Sequence, residues 1–263
     1  MARELTVGLV QMGLHPEDEP KAIDEAEEGV RSAVRQGARL ICLPEHWLVS
    51  KVLKPDDGVR GRFSGLAREL GVAVNLGGIY ERDDDGTYFV STTISRSGEA
   101  VSRQRKVHLY RGEKRKAKPG SSFDAFSVEG TRVGVMVCHD VVFPESARTL
   151  ALDGAELLIV PSLIVSEGLE PWHVYLKARA LENRVPVVST NAYAPPQFLG
   201  RSAVIGLEYD WKERVMRLKE SVAPGAKTVL VETIDLDSLA QLREERLAER
   251  RPDAYRSQGR KQI

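Results

Sequence analysis

Residues 133–162 read VGVMVCHDVVFPESARTLALDGAELLIVPS. Val133, Val135 and Val137 alternate with Gly134 and Met136, which is the two-residue period of a strand. Cys138 closes that strand. Pro144 stands near the first position of a helix running to Asp153, where proline is tolerated because its missing N–H would be unpaired anyway. Gly154 ends the helix, and Leu157–Pro161 is a short, wholly apolar run that predicts a buried strand. Strand, helix and buried strand in this order predict a parallel βαβ unit and hence an α/β fold.

The same unit occurs earlier. Gln36–Glu45 is QGARLICLPE, and Asp153–Ser162 is DGAELLIVPS. Each has a helix end, a glycine cap, a buried strand, then proline and a polar residue. The repetition predicts two similar halves facing each other about a pseudo-two-fold axis.

Around these units the chain alternates. Leu5–Gln11 is a strand, and Pro20–Gln36 a helix with Ile23, Ala26, Val30, Ala33 and Val34 on one side. Phe63–Leu70 is a second helix, closed by Gly71, and Val72–Tyr80 a strand. Thr87–Ser95 alternates after the Asp85-Gly86 turn and is followed by Ala100–Lys106. Phe123–Val128 and Arg132–Val137 form another hairpin. Trp172–Asn183 is a helix, and Val185–Asn191, Ser202–Leu207 and Thr228–Ile234 are strands. Tyr193–Gly200 reads as a loop, Leu236–Arg251 as a charged amphipathic helix and Pro252–Ile263 as an extended tail. Hairpins beside βαβ units make mixed sheets, so two sheets face to face with helices outside fit the order. No linker rich in Pro, Gly or Ser interrupts the 263 residues, which predicts one domain with residues 252–263 as a C-terminal tail.

Composition narrows the function. Hydrophobic residues are 42% and charged residues 29%, as in an ordinary globular protein, and 38 basic residues balance 38 acidic ones. A chain without net charge has no global electrostatic reason to seek nucleic acid or an acidic membrane surface. The run LREERLAERR at 242–251 alternates in sign, which suits a solvated or interface face rather than nucleic acid. No long apolar run occurs and the first residues lack a signal-like apolar core, so the cytoplasm is the expected location. Two cysteines, Cys42 and Cys138, make no disulfide framework and no zinc spacing.

Three polar residues stand at strand ends, where α/β sheets carry reactive groups. Glu45 follows Leu40–Pro44, Lys106 ends Ala100–Arg105 and Cys138 ends Arg132–Val137. Backbone N–H groups in a tight strand-to-helix turn favour a thiolate, the nucleophilic form of cysteine. Cys42, inside the strand LICLP, reads as core instead. His139 is adjacent to Cys138, but neighbours at a strand end point apart, which argues against a Cys–His pair. His46, His108 and His139 have no recognised metal spacing.

The segments GARLICLPE around Glu45, RKVHLYRGEK around Lys106 and Val133–Ser162 around Cys138 resemble the nitrilase superfamily of carbon–nitrogen hydrolases. KARALENRVPVVSTN at 177–191 and Gly200-Arg201-Ser202 match as well, and the likeness runs from VGLVQMG to RRPDAYR. The resemblance implies a four-layer αββα sandwich and a homodimer or larger homo-oligomer whose C-terminal segment reaches across the interface. It implies Glu45, Lys106 and Cys138 as catalytic triad, with Glu113 as a further catalytic glutamate. Thiolate attack would form a thioester, and the oxyanion would be held by Lys106 and the backbone N–H of His139. His46, Tyr110, Ser162, Leu163 and Trp172 are candidate substrate-binding residues. Arg179, Glu182 and Asn183 would brace a helix against the active-site loops. No cofactor and no metal is implied. CHDVVFPE at 138–145 resembles the amidase pattern C-x-D-x-x-F-P-E, with His139 where amidases carry Tyr, Phe or Trp. A small amide is the expected substrate. A nitrile or an N-carbamoyl compound is the alternative, and a non-catalytic binding protein on the same fold is the alternative of another class. Arg111 and Arg201 are conceivable carboxylate clamps.

Overall fold

The structure is a computed structural model that describes residues 3–49, 51–54 and 57–259. The order of elements is β1 (Glu4–Gln11), α1 (Glu19–Arg35), β2 (Leu40–Cys42), β3 (Val52–Leu53), α2 (Gly58–Leu70), β4 (Ala73–Asn75), β5 (Ile79–Asp83), β6 (Gly86–Ile94) and β7 (Ala100–Arg105). The second half continues with β8 (Phe126–Val128), β9 (Thr131–Val135), α3 (Pro144–Leu152), β10 (Leu157–Ser162), α4 (Leu169–Asn183) and β11 (Val187–Asn191). It ends with β12 (Tyr193–Ala194), β13 (Phe198–Leu199), β14 (Ala203–Asp210), β15 (Val215–Val222), β16 (Thr228–Asp235) and α5 (Ala240–Ala248).

Two mixed sheets result. One has the order β16-β1-β2-β4-β6-β5-β3, with β7 also on β6; the other runs β15-β14-β11-β10-β9-β8. Alternation along each strand then builds the layers. Leu5, Val7 and Leu9 of β1 and Leu40 and Cys42 of β2 pack in one core with β9, β10, β11, α3 and α4. Val10, Ile41 and Leu43, one residue out of phase, pack with Ala22, Ala26, Val30 and Ala33 of α1 and Phe63 of α2. A sheet buried on both faces needs helices beyond it, so the order is the expected αββα sandwich.

The internal repeat is real at the level of hydrogen bonds. Gly37 and Gly154 take φ of 91° and 84° at the two helix ends. Ala38 N–H then donates to Ala33 O at 3.0 Å, and Ala155 N–H to Leu150 O at 2.9 Å. Arg39 N–H donates to Thr6 O and Glu156 N–H to Arg132 O, each at 2.8 Å, starting β2 on β1 and β10 on β9. β2 and β10 are each flanked by two parallel neighbours. The two units meet where both end: Glu45 N–H donates to Ser162 O at 3.3 Å, from one sheet to the other.

Several elements differ from expectation. Val72–Tyr80 is two strands, because the Asn75 side chain accepts Gly77 N–H at 3.1 Å and Gly77 turns to φ 68°. A Cβ at Gly77 would lie 1.9 Å from Pro44 O, so the chain passes the Glu45 segment with no room for a side chain. α2 starts at Gly58 rather than Phe63, capped by the Asp57 side chain on Val59 N–H at 2.9 Å. β14 extends to Asp210 and pairs with β15, which the sequence reading lacked. The expected loop 193–200 contains the small β12–β13 hairpin, with a cis bond between Pro195 and Pro196. The C-terminal helix spans only Ala240–Ala248, and Pro252–Gly259 is a 3-10 turn rather than extended, opened by Ala254 N–H on Arg251 O at 2.9 Å. The last four residues of the expected tail lie outside the described residues.

Candidate active site

Glu45, Lys106, Glu113 and Cys138 come together at the strand ends. Glu45 is held by its backbone, bridging to Gly78 and donating to Ser162 O. Lys106 leaves β7 with its N–H on Phe89 O at 2.7 Å, and its side chain is wholly buried. Its Nζ donates to Glu45 Oε1 at 2.7 Å and to Glu113 Oε1 at 2.8 Å. Glu113 sits in the 3-10 turn Arg111–Arg115, and its other oxygen accepts Tyr110 N–H at 2.7 Å. Cys138 has φ 44° at the head of the 3-10 turn Cys138–Val142, which α3 follows after Phe143. That left-handed backbone is unusual for a residue with a side chain and is a common device where a reactive group must be aimed. Glu45, Lys106 and the Leu163 N–H are the groups that act on the protonation of the Cys138 sulfur.

The protonation states follow from these contacts. Burial, then the Glu45 charge, push the Cys138 thiol well above the usual cysteine range, and Lys106 offsets only part of this. The expected low-pKa thiolate is therefore corrected to a resting thiol with a carboxylate beside it. Burial works against the Lys106 ammonium, but the Glu45 and Glu113 carboxylates outweigh it and hold the group above the usual lysine range. Burial likewise opposes ionisation of Glu113, yet His46 and Lys106 draw it down to about 2. Cys42, in the core, is pushed up to about 12 by burial alone.

The other residues singled out in the sequence separate into two groups. His46 lies 3.5 Å from Glu113 and packs on Tyr80 and Phe89, with ring centroids 5.6 and 4.6 Å away. Tyr110 is half exposed and its ring lies 4.9 Å from that of His139. Burial and Lys106 lower the His139 pKa, which favours a neutral ring. Leu163 enters through its N–H at the Cys138 sulfur. Ser162 and Trp172 are instead buried with their polar atoms engaged inside the protein. The Ser162 hydroxyl meets Ser189 Oγ at 3.0 Å and donates to Thr190 O at 3.2 Å, while Trp172 Nε1 donates to Ser189 Oγ at 3.2 Å. Only the carbonyl of Ser162 touches the cluster, through Glu45. Arg179 does brace α4 against the nucleophile turn, donating to Val141 O at 2.8 Å and Val142 O at 2.9 Å.

The amidase-like pattern at 138–145 contains one further residue that shapes the site. Asp140 is fully buried; one oxygen accepts Val137 N–H at 3.0 Å, and the other accepts His108 N–H at 2.8 Å and meets His108 Nδ1 at 2.9 Å. It thus fastens the Cys138 turn to the segment that carries Lys106. Its fixed place two residues after the cysteine, within the C-x-D-x-x-F-P-E pattern, is the signal that could have marked it. Glu45, His46 and Glu113 offer three ligand atoms within 4.8 Å of one another. Lys106 Nζ already stands between the two carboxylates, so an ammonium occupies the place a metal cation would take.

The family model for carbon-nitrogen hydrolases matches residues 6–244. The deaminated glutathione amidase of Mus musculus is 32% identical over 265 residues, covering 88% of this chain and 79% of that one. The omega-amidase NIT2 of Xenopus tropicalis is 26% identical over 261 residues, covering 91% of each. An amidase from Nesterenkonia sp. superposes with a TM-score of 0.81 at 25% identity, over 97% of this chain and 96% of that one. With the family pattern matched across nearly its whole length and the sandwich shared with a solved member, the chain belongs to the carbon-nitrogen hydrolases of the nitrilase superfamily.

Proposed function

We propose that this protein is a cysteine-dependent amidase that converts a small amide to a carboxylic acid and ammonia through a thioester on Cys138. One observation carries the reading: the buried Glu45 carboxylate, held by Lys106 Nζ at 2.7 Å, bears with Lys106 on the buried Cys138 thiol. A resting thiol needs a base at the moment of attack. Glu45 takes the proton as the sulfur bonds to the amide carbon, then delivers it to the departing nitrogen as the carbon–nitrogen bond breaks. It next takes a proton from the water that opens the thioester. Acid–base help of this kind contributes roughly 10²–10⁴-fold. The Lys106 ammonium and the backbone N–H of His139 hold the oxyanion, and one such preorganised donor contributes about 3–4 kcal/mol. Glu113 keeps Lys106 charged and aimed.

Ammonia release from aliphatic amides, half-amides of dicarboxylates, carbamoyl amino acids and nitriles is the test. Cys138→Ala should release none while its thermal midpoint stays within a few degrees of the wild type. Glu45→Gln should show no acyl-enzyme burst. Full turnover in Cys138→Ala would remove the proposal, and ammonia from nitriles but not amides would reassign the protein as a nitrilase.

We also take the working form to be a homodimer in the cytoplasm. Leu152 on α3 and Val174 and Leu181 on α4 are large apolar side chains left 48%, 60% and 37% exposed, as a face covered by a second copy would be. No helix among the described residues is long and apolar enough to cross a membrane. Light scattering at micromolar concentration should return twice the mass of one chain, and a monomer would refute the dimer.

A further inference from the structure

Two donors converge on one oxygen of Glu113. Its Oε2 is capped by Tyr110 N–H at 2.7 Å, within its own turn. Its Oε1 accepts Lys106 Nζ at 2.8 Å and faces His46 Nε2 at 3.5 Å. A carboxylate can only accept, so the ring nitrogen on that side is the one that carries a proton. His46 reaches this place with an unusual backbone. It takes φ 58°, and its N–H donates to Gly78 O at 2.9 Å. The ring then rests against Phe89 and Tyr80, with centroids 4.6 and 5.6 Å away. Left-handed backbone is uncommon for a residue with a side chain and persists where the surroundings hold a group to a task. Glu45 and His46 are consecutive, so the contacts close a ring. Glu45 meets Lys106 at 2.7 Å, Lys106 meets Glu113 at 2.8 Å, Glu113 meets His46 at 3.5 Å, and one peptide bond returns to Glu45.

The ring matters when the charges change. At rest Lys106 lies between two carboxylates. Once Glu45 has taken the thiol proton its charge is gone, and Glu113 is the carboxylate left holding the ammonium. Lys106 Nζ must then stay beside the sulfur and the oxyanion on a single anchor, and an anchor that swings carries it out of line. We propose that His46 is a positioning residue for the reaction: it pins Glu113, so that Lys106 keeps its place while Glu45 holds the proton. The inference rests on the amidase reading above and adds one residue to its machinery. It gives His46 a task other than the substrate contact expected from the sequence. Burial opposes the Glu113 charge, while His46 and Lys106 bring its pKa down to about 2, so the anchor stays ionised through the cycle. At 3.5 Å the contact is longer than a settled hydrogen bond, and contacts of this kind tighten as the transition state forms. Its effect therefore falls on kcat rather than on KM.

Two replacements separate a donor from a packing ring. His46→Phe keeps an aromatic body against Tyr80 and Phe89 but has no N–H to give. His46→Gln offers an N–H at similar reach and no ring. On the amide that the ammonia screen finds fastest, His46→Phe should lower kcat about tenfold with KM little changed. His46→Gln should keep most of the wild-type kcat. In a Glu113→Gln background the same His46→Phe change should cost almost nothing further, because the two residues act through one contact. Wild-type kcat in His46→Phe, a loss confined to KM, a His46→Gln protein as slow as His46→Phe, or a loss undiminished by Glu113→Gln would overturn the assignment. Alkylation of Cys138 by iodoacetamide at pH 8 reads the same geometry without turnover. Lys106 draws the Cys138 thiol down against burial and Glu45, so an ammonium that swings free should slow the labelling severalfold in His46→Phe and not in His46→Gln. Amide hydrolysis with kcat and labelling both unchanged in His46→Phe sinks the positioning role alone. Labelling slowed in His46→Phe and restored in His46→Gln, with no ammonia from any amide, sinks the amidase reading while the His46–Glu113–Lys106 anchor stands.

Discussion

Burial and the Glu45 carboxylate both hold the proton on the Cys138 sulfur, and Lys106 offsets only part of that. The sign has a consequence for reactivity. A thiol raised above the usual range is mostly protonated at neutral pH, and its thiolate fraction grows as pH climbs toward the raised value. Alkylation of Cys138 by iodoacetamide, followed by mass spectrometry from pH 6 to 10, should therefore keep accelerating beyond pH 9. A plateau at or below pH 7 would mean that the thiolate already exists at rest. Cys42 should stay unlabelled throughout, being fully buried with its pKa pushed to about 12. The residues the sequence singled out for chemistry, Glu45, Lys106, Glu113 and Cys138, do converge, because each stands at a strand end or in the turn beyond one. The direction of the Cys138 shift was not legible. It depends on how far the carboxylate and the ammonium lie from the sulfur, and a linear sequence carries no such distances. Asp140 escaped for a related reason, since an acid beside a cysteine looks like a helix cap until its three backbone and ring partners are seen.

At the scale of elements, periodicity served where one face is buried and failed where it is not. β10, with every residue buried, and β1, with alternate residues in two cores, were readable. β15 was not: its residues are exposed or half-buried throughout, so no alternation marks it, and its partner β14 supplies the pairing. The break between β4 and β5 was hidden because Leu76 and Ile79 keep an apolar run going past Gly77 and Gly78. The Gly77 turn is the element on which Glu45 leans. Ala at φ 68° adds about 1–2 kcal/mol of backbone strain. The overlap with Pro44 O then adds about 1–3 kcal/mol as the strand end moves aside. Gly77→Ala should lower the thermal midpoint by on the order of 10 °C and reduce turnover together. A variant with wild-type melting would show that the Pro44–Glu45 segment can shift freely.

For the whole molecule, the hydrogen bond from Glu45 N–H to Ser162 O joins the two repeated units across the sheets. The first unit brings the base and, further along, the lysine and second glutamate; the other brings the nucleophile and the Leu163 N–H. Neither half of the chain holds a complete reaction centre. Nor is either half closed, for β16 crosses back to pair with β1 along the full length of both strands. The protein is in this sense a two-key lock. Cut in the exposed stretch at Ser121–Ser122 and produced as two pieces, it should release no ammonia from either piece alone and recover activity when both are made together. The reassembled pair would be held by the β1–β16 seam together with the core shared between the sheets, and charged substitutions at Val229 and Val231 should weaken it without touching a single reacting group.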